Sequence, residues 1–500
     1  MIIDDQYYDV IIIGTGAGGG TLAYKLAPTG KKILVLERGD YMPLEDQNRS
    51  NVDIFKKERY HAPEQWYDIA GEPFSPQTSY AIGGNTKIWG TVSARMREKD
   101  FEQVEHEKGI SPEWCLKYAD FEPYYTEAEQ LYQVHGQTGD DPTEPPHSAG
   151  YPFPAIAHEP QVEEIVGAIA QQGLHPFHLP LALTRQKEDP TNDAEVSGII
   201  PAAKHPNVTI KTGATVSCLH TNPSGKVVKA VQAEIGGQPF LFLGDIIVLA
   251  CGAINSAAVL LRSRNTECSN GLANSSGLVG RNLMKHRLSS IVQLGSPNSG
   301  KFQRSVCVND FYWGDEDFPY PMGQIQNSGG LLQDIIFAES PPILAGLAKV
   351  MPGFGLSQMA TRSIGWWAQT EDLPDANNRV RIDGNKLFID YVPNNTNAHE
   401  RLIYRWTETL KGAEKTIHKT SNLHPSGEMP MSVVAHQCGT CRFGVDPATS
   451  VLDPNCRAHD VDNLYVVDGS FFPSHASVSP ALTIIANALR VGNHLIERLK

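Results

Sequence analysis

The sequence predicts an α/β protein of two lobes: a Rossmann-type dinucleotide-binding lobe and a discontinuous second lobe, α+β in character, that takes the substrate. Three observations lead there. The chain opens with a strand, a glycine turn and a helix; the same pattern returns at residues 245–261 after a cluster of β segments; and 500 residues exceed what one hydrophobic core supports, so the chain is expected to cross between lobes.

In the opening unit, the apolar run Val10-Ile11-Ile12-Ile13 feeds Gly14-Thr15-Gly16-Ala17-Gly18-Gly19-Gly20, and a second apolar run, Ile33-Leu34-Val35-Leu36, ends at Glu37. Gly14 permits the tight turn, Gly16 lets backbone N–H groups approach a pyrophosphate, and Gly19 lets the helix pack close to the strand. Glu37 is placed to accept hydrogen bonds from a ribose. The motif does not separate FAD from NAD, and a glycine-rich turn without a ligand is the alternative.

A formal net charge of −14 argues against nucleic acid and anionic membranes as partners and favours a small neutral ligand. The most apolar window, Leu241 to Leu261, is interrupted by Asp245 and Asn255 and is too polar for a membrane span. Asp4 and Asp5 precede the first apolar run with no basic residues ahead of it, unlike a secretory signal, so a cytoplasmic protein is expected. Of eight cysteines only Cys438 and Cys441 form a CxxC, open to redox, metal or no chemistry; without a second pair, buried free thiols are expected and no metal site.

Residues 40–80, polar and rich in aromatics and prolines, read as an extended excursion. Gly83-Gly84-Asn85-Thr86 follows, a turn that either faces a flat cofactor ring, with Asn85 and Thr86 as polar contacts, or is a plain turn. Helices are expected over Ser111–Glu129 and Glu159–Gln172, with a long loop or lobe boundary from Gly136 to Pro154. Strands follow at Asn207–Ile210, Thr215–Leu219, Val227–Ile235 and Asp245–Ala250, then the glycine turn and helix Cys251–Leu261. Residues 291–430 show mainly a hairpin, Arg379–Ile382 and Lys386–Asp390, expected to be a sheet unit of the second lobe.

The last seventy residues hold the chemistry. His436-Gln437-Cys438-Gly439-Thr440 is followed by the strand-like Asn463–Asp468 and the turn Gly469-Ser470, then by Ser479-Pro480, which reads as N-cap and first position of a helix running to about Arg498. The positive end of that helix suits an anion such as a reduced flavin; a normally capped surface helix is the alternative.

These segments resemble, in order and across nearly the whole chain, the glucose-methanol-choline (GMC) oxidoreductase family: the opening fingerprint, Gly83–Thr86, Gly252–Ser256, Gly280-Arg281-Asn282-Leu283, His436 with Gly439-Thr440, and Asp468-Gly469-Ser470 with Ser479-Pro480. Trp89 makes the chain look closer to the pyranose oxidase and gluconate dehydrogenase branch. The resemblance implies a Rossmann-type FAD-binding lobe (1–145, 196–290 and 431–500) and a discontinuous α+β substrate-binding lobe (146–195 and 291–430), GMC-like and related to p-hydroxybenzoate hydroxylase. It implies oxidation of an alcohol, polyol or sugar CH–OH by hydride transfer to flavin N5, with His436 as base. The residues it assigns to the cofactor are Gly14, Gly16, Ala17, Gly19, Glu37, Arg38, Gly83, Gly84, Asn85, Thr86, Val216, Cys251, Gly252, Asn255, Asp468, Gly469, Ser479, Pro480, Ala481 and Leu482. Oxygen, a quinone or a partner protein accepts the electrons. Ile88 stands where some relatives carry a flavin-linking histidine, so the FAD is expected to be non-covalent.

Two departures stand out. The family's second catalytic histidine or asparagine falls on Ser479, a weaker hydrogen-bonding group, and His475 four residues earlier either supplies the missing imidazole or fills a wall. Thr184 to Gly198 lacks the cysteine-rich loop of related dehydrogenases. Ser479 also leaves open a flavin-containing lyase or decarboxylase on the same fold. His286 is a weaker candidate, expected to be structural.

Overall fold

The structure, a computed structural model, describes residues 1–43, 45–49, 53, 57, 59–183, 192–294, 304–330, 363–418, 424–432 and 436–500. Residues 184–191 of the Thr184–Gly198 segment lie outside them. The first lobe is built on a seven-stranded sheet whose order is Val208–Lys211, Ile33–Leu36, Ile2–Ile13, Gln238–Leu249, Val228–Ile235 and Ala214–Thr221, with Leu464–Val466 paired in parallel to Gln238–Leu249. The strands nearest the glycine loop run parallel, and Val10–Ile13 and Ile33–Leu36 are at most 3% exposed. Strands covered on both faces need apolar side chains on both, which is why these two read as unbroken aliphatic runs. The last two strands of the order are an antiparallel meander.

The second lobe is an antiparallel six-stranded sheet in the order Ser426–Glu428, Arg287–Leu294, Ser363–Thr370, Gln324–Gly330, Val306–Val308 and Phe177–His178. Its two faces differ. Ile291, Ile325, Ile364, Trp366 and Ala368 point one way and pack on Ile165 and Ile169 of the helix Pro160–Ala170 and on Leu402, Trp406 and Leu410 of the helix Thr396–Thr416. The alternating residues Ser290, Gln324, Gln326, Trp367 and Gln369 point the other way, and all but Trp367 are at most 1% exposed.

Several expectations are corrected. The hairpin Arg379–Asp383 and Lys386–Asp390 does not join this sheet; it pairs with Trp66–Asp68 and Pro73–Phe74, and Val380, Leu387 and Ile389 enter the first lobe's core. Alternation shows that a segment is a strand, not which sheet it joins. The boundary at residue 290 cuts the strand Arg287–Leu294, which lies whole in the second sheet. Gly109–Ser111 is a strand paired with Val104–His106, so the helix expected from Ser111 begins at Tyr118. The C-terminal helix is Ala481–Arg498 with Pro480 as N-cap, so Ser479 lies one residue outside the cap and its side chain does not cap.

Candidate active site

The first glycine loop is folded around Thr15, a residue the motif does not single out. Its N–H and hydroxyl both donate to Glu37 Oε2 (3.0 and 2.6 Å), and its hydroxyl accepts from Gly83 N (3.0 Å), tying the loop to the acid and to the second glycine turn. Glu37 Oε1 accepts from Gly39 N (3.0 Å). Burial pushes the Glu37 carboxyl up from its ordinary value, while these donors pull it down. A Cβ on Gly19 would lie 2.0 Å from Gly14 O, and one on Gly18 2.2 Å from Val467 O, so glycine is required where the helix Ala17–Leu26 crosses the strand ends. A Cβ on Gly16 meets only Gly83 O at 4.0 Å and one on Gly252 meets nothing, so both open onto clear space.

Gly16 and Gly252 are themselves the N-caps of two helices. The helices Ala17–Leu26, Ala253–Arg262 and Ala481–Arg498 each start without a side-chain cap and without an acid in the first turn. Uncapped first-turn N–H groups are anion donors. Asp468 joins two of the elements: its carboxylate accepts from Gly252 N (3.0 Å), the Ser256 hydroxyl, and Ser470 N and hydroxyl. Burial raises its pKa. Arg38 pairs with Glu64 (2.7 Å) and lies 4.1 Å over the Tyr80 ring, whose hydroxyl receives Asn255 Nδ2 (3.3 Å). Ala214 N, two residues before Val216 on the same strand, donates to Glu37 O (2.8 Å). Cys251 N is held by Ser256 Oγ (3.1 Å). Asn85 and Thr86 serve the turn itself: Asn85 Oδ1 accepts from Ser79 N, and Thr86 Oγ1 donates to Gly83 O and accepts from Ala194 N. The clear space at glycine backbones, the buried acid and the helix ends fit a dinucleotide such as FAD.

The histidines meet where the lobes join. Met284 and Cys438 form an antiparallel bridge through two backbone bonds (2.8 and 3.0 Å), and two residues on in that register His286 stands opposite His436. Their Nδ1 atoms are 3.1 Å apart. His286 Nε2 lies 2.9 Å from Ala476 O, and burial, then His475 and His436, drive the His286 pKa well below 6.5. A neutral His286 has one N–H, and a carbonyl at Nε2 fixes it there, leaving Nδ1 to accept. His436 therefore donates from Nδ1, and its Nε2 carries the lone pair. Burial, then His475 and Arg304, lower the His436 pKa to about 3, so the ring is uncharged near neutrality.

His475 stands behind this pair. Its ring stacks on His286 at 3.7 Å and is fully buried, whereas His286 faces His436 edge-on at 5.2 Å. His475 Nε2 comes within 3.1 Å of Asp372 Oδ1 but lacks the alignment of a hydrogen bond. His475 thus stands against His286, the partner of His436. Asp372, absent from the sequence-based candidates, accepts from Lys285 N, His286 N (3.0 Å) and the Tyr391 hydroxyl (2.8 Å). His286 and Ala476 both have left-handed backbones, φ 66° and 53°, an arrangement costing on the order of 1–3 kcal/mol each and held by the bond between them. Ser479 is buried beside Pro480, and its hydroxyl has no partner among the described residues. Cys438 and Cys441 are buried free thiols. Among the described residues no cluster suited to a metal ion occurs, and no helix is long and apolar enough to cross a membrane.

Two sequence profiles described as GMC oxidoreductase match residues 8–288 and 390–488. The chain is 30% identical to 6'''-hydroxyparomomycin C oxidase of Streptomyces lividus, over 99% of this chain and 92% of that protein. It is 29% identical to paromamine 6'-oxidase of Streptomyces fradiae, over 99% and 93%. The fold is that of pyridoxine 4-oxidase from Mesorbium loti, with a TM-score of 0.68 at 19% identity over 97% of this chain and 99% of that one.

Proposed function

The chain belongs to the GMC oxidoreductase family and is an FAD-dependent oxidoreductase of CH–OH groups, and from that premise we propose that His436 Nε2 is the proton acceptor of the reaction. The observation that carries this is the hydrogen-bond sequence His436 Nδ1–H to His286 Nδ1, and His286 Nε2–H to Ala476 O. It commits His436 to the tautomer whose outer nitrogen is free, and burial keeps that nitrogen unprotonated. Taking the hydroxyl proton raises electron density on the carbinol carbon, and FAD supplies the acceptor for the hydride that leaves it. The charge arising on His436 is met by the neutral His286 acceptor, with the Asp372 carboxylate bonded to the His286 backbone. The Ser479 hydroxyl, unpartnered at the start of the C-terminal helix, takes a hydrogen bond from or gives one to the substrate oxygen.

In this reading Gly14–Ala17 would hold the pyrophosphate, Glu37 the ribose, and Gly83–Thr86 with Pro480–Leu482 the flavin. FAD is bound non-covalently, since Ile88 offers no nucleophile at the position where some relatives are linked. The Streptomyces relatives named above are oxidases of 6'''-hydroxyparomomycin C and of paromamine, which supports a hydroxyl-bearing donor and oxygen as the first pair to try; nothing favours the lyase reading. The test is the absorption spectrum of the purified protein before and after anaerobic addition of sugars, polyols and simple alcohols. Flavin bands that bleach with one of them and return on admitting oxygen are expected; a product formed with the bands unchanged would end the oxidative reading.

A further inference from the structure

The polar face of the second sheet holds a row of buried atoms that the fold itself does not satisfy. Ser290, Trp367 and Gln326 stand side by side on three neighbouring strands, in register, and Ser290 Oγ, Trp367 Nε1 and Gln326 Oε1 have no hydrogen-bond partner among the described residues. A buried polar atom left unpaired costs about 1–3 kcal/mol, and native structures keep few of them. Three in one row on one face point to a ligand that completes them.

The row belongs to the site already described. Two residues beyond Trp367 on the same strand and face, Gln369 Nε2 donates to Ser477 O (3.0 Å), in the loop between His475 and Ser479. The Arg304 guanidinium lies 4.1 Å over the Trp367 ring and presses on Gly90, where a Cβ would meet Arg304 Nη1 at 1.9 Å. Trp89, adjoining Gly90, has a further buried and unpartnered indole N–H. Arg304 is also one of the charges felt by His436.

We propose that this row selects a polyhydroxylated substrate, with Ser290, Gln326 and Trp367 taking hydroxyls other than the one presented to His436. The inference rests on the oxidative reading of His436. Trp367 Nε1 only donates, Gln326 Oε1 only accepts and Ser290 Oγ does both. A hydroxyl both donates and accepts, so neighbouring hydroxyls on a ring complement all three. An apolar alcohol leaves them buried and unpaired, and a site built to hydrogen-bond a substrate discriminates strongly against an analogue that lacks those groups.

The experiment uses the flavin-loaded full chain and anaerobic bleaching with D-glucose, myo-inositol, cyclohexanol and 1-hexanol. The polyhydroxylated compounds are expected to bleach the flavin with at least ~100-fold greater efficiency. Gln326→Leu combined with Ser290→Ala is expected to shrink that ratio to about tenfold or less; Trp367→Phe, which keeps the ring and removes only the donor, is a second variant should the first fail to fold. Equal bleaching by cyclohexanol and myo-inositol, or a ratio unchanged in both variants, overturns the inference and leaves the oxidative reading standing. Bands that bleach with none of the four compounds overturn this inference alone; a protein without flavin bands, or a product formed with the bands unchanged, overturns the oxidative reading and this inference with it.

Discussion

The two sheets solve the problem of holding a ligand in opposite ways. The seven-stranded sheet buries apolar side chains on both faces and, in the proposed function, meets its ligand through backbone: glycines open to clear space at Gly16 and Gly252, and three uncapped helix ends. The six-stranded sheet buries one apolar face against two helices and turns the other, made of amides, hydroxyls and an indole, inward. Backbone recognition fits a fixed cofactor and tolerates no added atoms. Side-chain recognition is adjustable, and belongs where substrates differ among relatives.

The largest effect that separates the two is expected in the cradle. Gly19→Val drives a side chain into Gly14 O and should abolish flavin binding and soluble expression; retention of full flavin content after this change would show that the close crossing is dispensable. His436→Ala is expected to lower the rate of flavin reduction ~10²–10⁴-fold with flavin content unchanged, as measured by stopped-flow absorbance. A rate near wild type removes His436 from the chemistry.

His286→Leu tests the junction between the lobes. Because His436 is held at about 3 by burial and its neighbours, the acid limb of kcat/KM in the wild type is expected well below pH 6.5. Removing the Nδ1 acceptor frees the tautomer and takes away a group that stabilises protonated His436, so the variant should lose about tenfold in kcat and show an acid limb displaced downward; a lowered rate with an unmoved limb would assign His286 a purely structural role. Ser479→Ala should raise KM more than it lowers kcat, by about 1.5 kcal/mol of binding at most, and His475→Asn should be felt mainly as stability.

The smallest and broadest effect is on acid stability. His399 and His436, at about 3, and His158, at about 4, are held below the 6.5 of the unfolded chain, and His286 lies well below it too. Between pH 6.5 and about 3 the unfolded chain binds protons that the fold does not, so stability falls steadily as pH drops through that window. Urea midpoints at pH 7 and pH 5 check the sign.

Legibility followed the same division. The cradle could be read because its constraints are local: a turn of glycines, an acid at a set distance, aliphatic strands covered on both sides. His436 and Ser479 were found by resemblance. Thr15, Asp372, Trp367 and Gln326 were not, since their significance comes from partners far along the chain: Thr15 reaches Gly83, Asp372 reaches His286, and Gln326 stands beside Trp367 only once two strands are in register. The misplaced hairpin has the same cause. Asp372 had one signal available, as one of two adjacent acids in a stretch otherwise poor in charge; the row of orphaned atoms had none.

The bridge between Met284 and Cys438 also joins segments made far apart in time. The two imidazoles are 150 residues apart in sequence, and the rung, with the neighbouring bond from Gly280 N to Thr440 O (2.8 Å), brings their segments together. The strand Leu464–Val466, which closes the first sheet, comes later still. A chain emerging from the ribosome therefore carries a complete glycine loop long before it has a tautomer-locked base. Flavin capture, which in the proposed function also calls on Asp468 and the Pro480–Leu482 turn, waits with turnover for the far end of the polypeptide.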